Sequence, residues 1–240
     1  MLSHRHANLA TPTWPEYFDA RVKQVHDSRL KRFYEAGVPD PKTPIRDVPL
    51  VALDLETTGM DVDRSGIVSI GIVPMRLDRI RASKSSYWVL RPRRILSEES
   101  IVIHHITHSE IANAHDFNDV LGDVLAAMTG AIPIVHYYRI ERNFLHEAVK
   151  VRLGEAFMFP LIDTMMLEAR WARQSFQARF RRWLGGEPES LRLHETRSRY
   201  HLPFYRGHHA VTDALATAEL FQAQVARRFS PETPIGELWI

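Results

Sequence analysis

Apolar residues recur along the chain in two rhythms. Over residues 1–47 polar and charged groups dominate, yet Trp14, Phe18, Val22, Val25, Leu30 and Phe33 return at spacings that one face of a helix approximately satisfies. The pattern predicts a helix in an N-terminal extension, packed on its own domain or offered to a partner. Pro39, Pro41 and Pro44 break the stretch. From Val48 the rhythm shortens. VPLVALDLE, a turn-like TTGMDVDRSG, IVSIGIVPM and SYWVLRP at 86–92 read as three successive strands in a meander. Phe117, Val120, Leu121, Val124, Leu125 and Met128 then share one face of a helix over 116–128. AIPIVH reads as a short strand buried on both faces. A helix over about 139–152 and a further strand in FPLIDT follow, and helices continue to Phe229 with interruptions at GGEP and LPFYRG.

Three strands, then helices alternating with two more strands, predict an α/β domain over 48–229: a mixed five-stranded sheet flanked by helices. Residues 1–47 precede it and a tail over 230–240 follows. At 240 residues the chain suits one large domain with a modest extension. It contains no cysteine, which excludes disulfides, a thiol nucleophile, iron–sulfur clusters and cysteine-ligated zinc. The start lacks the apolar core of a signal peptide, and no apolar run approaches the roughly 20 residues that span a bilayer. A soluble, cytoplasmic protein without membrane contact is expected.

The chemistry concentrates in Asp54-Leu55-Glu56-Thr57-Thr58-Gly59. Strand alternation puts Asp54 and Glu56 on one face and turns Leu53 and Leu55 into the apolar side. Two carboxylates so close repel unless a cation neutralises them, and oxygen donors suit Mg²⁺ or Mn²⁺. The turn that follows, through Thr57, Thr58, Gly59 and Met60, offers hydroxyls and backbone amides to a phosphate or sugar.

LDLETTGMD resembles the first motif of the DnaQ-like 3′-5′ exonucleases, in their histidine-bearing branch with the RNase H-like fold. The third motif of that family, His-x4-Asp, is matched by His208 and Asp213 ahead of ALATAELF, and IVIHHIT at 101–107 is similar to a third family stretch, with His105 in place of glycine. The second motif departs from the pattern: His136-Tyr137-Tyr138-Arg139-Ile140-Glu141 puts Glu141 where an aspartate is usual, and Tyr137 where asparagine is. Asp163 in LIDT matches a recurrent aspartate, expected to cap the next helix.

The resemblance implies a site of Asp54, Glu56, Glu141 and Asp213 holding two divalent ions, Mg²⁺ or Mn²⁺. It implies His208 as the base on the attacking water, a role suited to imidazole near neutral pH. Tyr205-Arg206-Gly207 before it reads as a loop able to close on substrate. The expected activity is hydrolysis of phosphodiester bonds at nucleic-acid 3′ ends.

Net charge is only +2, but residues 170–206 hold nine arginines and no lysine against three glutamates. Trp171, Phe176, Phe180, Trp183, Tyr200 and Tyr205 interleave with them. Together they suit a phosphate backbone and unpaired bases, hence single-stranded DNA. Two alternatives stand beside this reading: a decayed nucleic-acid-binding scaffold, and an exonuclease trimming RNA or oligonucleotides. A role in proofreading or DNA repair would require a polymerase or other protein partner, for which the N-terminal extension is the candidate surface.

Overall fold

A computed structural model describes residues 12–92, 111, 113–174 and 189–240. The chain opens with two helices, α1 (Trp14–Gln24) and α2 (Ser28–Glu35). One helix was predicted here. Asp27 explains the break: its carboxylate accepts from the Arg29 and Leu30 N–H groups and starts a second helix, after Val25 has left the helical region. Phe18, Leu30, Phe33 and Tyr34 nevertheless enter the main core together. Glu155 accepts from the His26 and Asp27 N–H groups, and Arg21 donates to the Ala156 carbonyl at 2.7 Å.

The sheet contains β1 (Leu50–Thr57), β2 (Ile67–Arg76), β3 (Arg79–Ile80), β4 (Ser86–Val89), β5 (Ile132–Val135) and β6 (Ile162–Asp163). Its order is β3-β2-β1-β5-β6, with β4 also paired to β2. β1 runs antiparallel to β2 and parallel to β5, which is parallel to β6. The mixed sheet is thus the expected one, with β3 added: two residues in a hairpin are too few to leave a periodic signal.

Helices α3 (Phe117–Met128), α4 (Tyr138–Leu153), α5 (Thr164–Gln174), α6 (Leu193–Arg199) and α7 (Ala210–Arg228) complete the described α-helices. They divide the apolar residues into two layers. Odd positions of β1 (Val51, Leu53, Leu55) pack with α1 to α4, whereas Leu50 and Ala52 pack with Ala214, Ala218 and Phe221 of α7. The C-terminal segment closes over the second layer through Ile235 and Leu238, and Ile240 exchanges two backbone hydrogen bonds with Leu161. IVIHHIT, GGEP, Phe176, Phe180 and Trp183 lie outside the described residues.

Candidate active site

Asp54 and Glu56 prolong the even row of β1, so they emerge on the α7 side of the sheet beyond the last apolar contacts of that row. The third acid arrives from α7, whose first turn carries Asp213. Its approach depends on Gly71, the β2 partner of Asp54. A Cβ at Gly71 would stand 2.3 Å from the Ala210 carbonyl carbon and 2.4 Å from the Val211 nitrogen. Without that methyl, the helix start lies directly on the strand. One carboxylate oxygen from each of Asp54, Glu56 and Asp213 then falls within 4.8 Å of the others.

Glu141 lies in the first turn of α4, 2% exposed, and its Oε2 has no hydrogen-bond partner. It stands outside the tight triangle but is close enough to act on it. Burial pushes the Asp54 carboxyl well above the usual carboxylate range, and Glu56, Asp213 and Glu141 push it further. Glu141 is also raised well above its ordinary value by burial, assisted by Asp163 and Glu56. Asp213 is raised by burial and by Glu56, against the hydrogen bond from the His208 N–H and the nearby His194 and His208 rings. Its Oδ1 is buried without a partner. Buried, mutually repelling carboxylates with unsatisfied oxygens fit a hard divalent cation, which would supply the missing positive charge and ligand demand.

The two adjacent histidines part company. His208 has a left-handed backbone (φ 68°), donates its N–H to Asp213 Oδ2 at 2.7 Å and exposes its ring. His209 stacks on Tyr87 of β4, ring centroids 4.7 Å apart and planes 22° apart. Since Tyr87 pairs with Gly71 in the sheet, this stack seats the α7 start beside the same strand row as Asp54.

Asp163 caps two helices rather than one. Its carboxylate accepts from Met165 and Met166 N–H at the start of α5 and from Tyr137 and Tyr138 N–H at the start of α4. His136 is occupied structurally: its ring nitrogens lie 2.8 Å from Thr164 Oγ1 and 2.8 Å from the Leu191 carbonyl. In the Thr-Thr-Gly turn, Thr57 Oγ1 donates to the Gly59 carbonyl and Thr58 Oγ1 accepts from the Gly66 N–H. Both hydroxyls therefore shape the turn, while Met60 is 68% exposed beside them.

Gly71, His194 and Arg197 carry no motif in the sequence, yet all three border the site or its loop. Arg197, 2% exposed, donates to the Ala216 and Pro203 carbonyls and pairs with Glu219 at 2.7 Å. Tyr205 also donates to Glu219, at 2.8 Å. The loop ahead of His208 is thereby tied to α7 at two points.

Comparison with known proteins agrees with this arrangement. The exonuclease family model RNase_T matches residues 51–221. A PolC-type DNA polymerase III of Thermotoga maritima is 28% identical over 175 residues, which is 73% of this chain but 12% of that protein. The DNA polymerase III subunit epsilon of Treponema pallidum is 24% identical over 75% of this chain and 77% of its own length. The chain thus spans only a small part of the PolC-type polymerases it matches. Among solved structures, cell-death related nuclease 4 superposes with a TM-score of 0.62 at 18% identity, over 77% of this chain and 65% of that one. The nuclease domain of 3′hExo, a DEDDh family member, superposes with a TM-score of 0.59 at 15% identity, over 75% and 92%. With the sheet order, the acidic cluster and the family match in agreement, the chain belongs to the DnaQ-like 3′-5′ exonucleases, built on the RNase H-like fold.

Proposed function

We propose that the protein is a metal-dependent 3′-5′ exonuclease that removes nucleotides from the 3′ ends of single-stranded DNA. The observation that carries this reading is the convergence of Asp54, Glu56 and Asp213 within 4.8 Å, with buried Glu141 beside them. Asp54, Glu56, Glu141 and Asp213 would hold two ions, Mg²⁺ or Mn²⁺, which when bound supply Lewis-acid stabilisation of the phosphoryl oxygens and lower the pKa of water.

The remaining work falls to the chain itself. Asp213 anchors the backbone of His208, so the imidazole is delivered from a fixed point while its ring stays in solvent. In that position it accepts the proton of the attacking water as the new P–O bond forms and the bond from phosphorus to the 3′-oxygen of the preceding nucleotide breaks, that oxygen leaving as the new 3′-hydroxyl with a proton from solvent. His209, engaged with Tyr87, holds the helix start in place. The Thr57–Met60 turn lies at the end of β1 and borders the incoming 3′ nucleotide, with the exposed Met60 thioether as its apolar contact.

A decayed scaffold accounts poorly for the buried, unpartnered carboxylate oxygens of Glu141 and Asp213, which are costly to keep without a ligand. Relatives named as DNA polymerase III of PolC type and as DNA polymerase III subunit epsilon support a role beside a polymerase. Among the described residues no helix is long and apolar enough to cross a membrane. The buried face of α1 and α2 is committed to the core, so a partner would meet their solvent side.

The test is digestion of 3′-labelled and 5′-labelled single-stranded DNA, duplex DNA and RNA with Mg²⁺ or Mn²⁺. Mononucleotide release from the 3′ end of unpaired DNA, abolished by EDTA and in folded Asp54→Ala protein, is expected. Undiminished hydrolysis by that variant would sink the reading.

A further inference from the structure

Phe204 is the most exposed large apolar side chain among the described residues, with 84% of its surface in water. A solvated phenyl ring on a frayed loop would mean little. Here the residues on either side are tied down. The Pro203 carbonyl accepts from Arg197 at 2.9 Å, Tyr205 donates to Glu219 at 2.8 Å, and the Arg197 guanidinium lies 4.8 Å from the Tyr205 ring centroid. The outward aim of Phe204 is therefore built into the fold.

The ring leans on His194, centroid to centroid 5.9 Å with planes 36° apart. His194 in turn borders the acidic cluster. The point where a Gly207 Cβ would stand is 2.4 Å from His194 Nε2 and 3.6 Å from Asp213 Oδ1, so imidazole and carboxylate are neighbours across the side-chain-free Gly207. Asp213 registers the same proximity, since His194 opposes the upward shift of its pKa. Phe204 thus stands one imidazole away from a candidate metal ligand. Arg206, two residues along the chain, is exposed and offers a positive charge that complements a phosphate backbone.

We propose that Phe204, braced by His194, is a stacking platform for an unpaired base of the DNA strand whose 3′ end occupies the acidic cluster, with Arg206 on the adjoining phosphates. This rests on reading the cluster as an exonuclease site and adds the element that selects single strands. A base face is available to an aromatic ring only after it has left its duplex neighbours, so the platform rewards unpaired ends.

The experiment uses the full chain, wild type, Phe204→Ala and Phe204→Trp, on a 3′-terminal single-stranded DNA series in which one abasic residue is moved stepwise from the 3′ end. Phe204→Ala is expected to raise KM by about 5- to 100-fold with most of kcat retained, and Phe204→Trp to recover most of the loss. One abasic position should weaken the wild-type enzyme by a similar factor and leave Phe204→Ala no weaker than before, because both changes remove the same stack. A parallel arm reads the anisotropy of fluorescein-labelled oligonucleotides in Ca²⁺, where binding is measured whether or not the strand is cut. If no strand is hydrolysed but Phe204→Ala binds more weakly with the same abasic pattern, the platform stands and the exonuclease reading falls. If hydrolysis is normal and the two losses simply multiply, or Phe204→Ala binds as wild type does, the platform is refuted and the exonuclease reading is untouched.

Discussion

Adding one methyl at Gly71 should damage the site without touching any acidic residue. In Gly71→Ala the new Cβ would stand 2.3 Å from the Ala210 carbonyl carbon and 2.4 Å from both the Ala210 oxygen and the Val211 nitrogen. Ordinary contact begins at 3.4 Å, and these atoms are backbone, so no side-chain rotation relieves the overlap. The first turn of α7 must retreat by roughly 1 Å or more, at an overpacking cost of about 1–3 kcal/mol. Asp213 and His208 belong to that turn and its approach, whereas Asp54 and Glu56 stay on β1. A misplacement of that size is expected to lower kcat by about 100-fold. The assay pairs thermal melts with steady-state digestion and calorimetric Mn²⁺ titration, and Gly122→Ala is the control. At Gly122 in α3 the added Cβ meets only Arg29 Cδ at 3.6 Å, so stability should rise by about 0.5–1 kcal/mol with turnover unchanged. Folded Gly71→Ala protein with wild-type kcat and metal affinity would refute the claim that the close contact of helix and strand sets the site.

The raised carboxyl pKa values also govern stability. Between the ordinary values of 3.8 and 4.5 and the raised folded values, the metal-free native state binds more protons than the unfolded chain, so its stability should fall as pH rises through that window. Mg²⁺ or Mn²⁺ should raise the melting temperature more at pH 8 than at pH 5, and Asp54→Asn should flatten the metal-free slope; an equal slope in both proteins would contradict the assignment. Glu141→Asp should keep partial activity or gain some, whereas Glu141→Gln should lose activity strongly because charge outweighs length at a metal site; steady-state assays decide, and equal performance of Gln and Glu would remove Glu141 from the site. His208→Ala should lose about 100-fold or more in kcat and the acidic limb of its pH-rate profile, with His209→Ala milder because its ring is stacked on Tyr87. A larger loss in His209→Ala would show that the base is the other histidine.

The parts of the site legible in the sequence were those set by local periodicity or by likeness to the motifs of a known family. Asp54 and Glu56 share a face because a strand has period two, and the alternation of Leu53 and Leu55 announces which way they turn. Asp213 came from the likeness of His208-x4-Asp213 to the third motif of the family, which periodicity alone does not single out. Gly71 was hidden inside IVSIGIVPM because its meaning depends on Ala210, far along the chain, crossing it at backbone distance. Arg197 was hidden for a similar reason: as one arginine among nine it looked like surface charge, yet it is buried and organises the loop through Glu219. The single N-terminal helix failed on one side chain, Asp27, whose capping bonds outweighed the continuity of the apolar stripe.

The second motif combines both lessons. Tyr137 occupies the left-handed region, with φ 94° and ψ 74°, where a residue bearing a Cβ is disfavoured by about 1–2 kcal/mol. The strain has a local counterweight, since Asp163 accepts from the N–H groups of both Tyr137 and Tyr138. Those two bonds orient the peptides that launch α4, and one turn later the helix presents Glu141 in its buried position beside Glu56. The next residue, Arg142, locks the same turn from the other side. Its guanidinium lies 5.5 Å from the centroids of both the Trp14 and Tyr138 rings and donates to the Phe159 and Ile240 carbonyls. Burial lowers its pKa to about 10, which still leaves the charge in place at neutral pH. The changed letters of the motif are thus held by an aspartate from β6, a tryptophan from α1 and a carbonyl from the C-terminal segment. Glu141 therefore sits on a turn held from both sides, by Asp163 at the helix start and, through Arg142, by Trp14 and the Ile240 carbonyl of the two terminal segments.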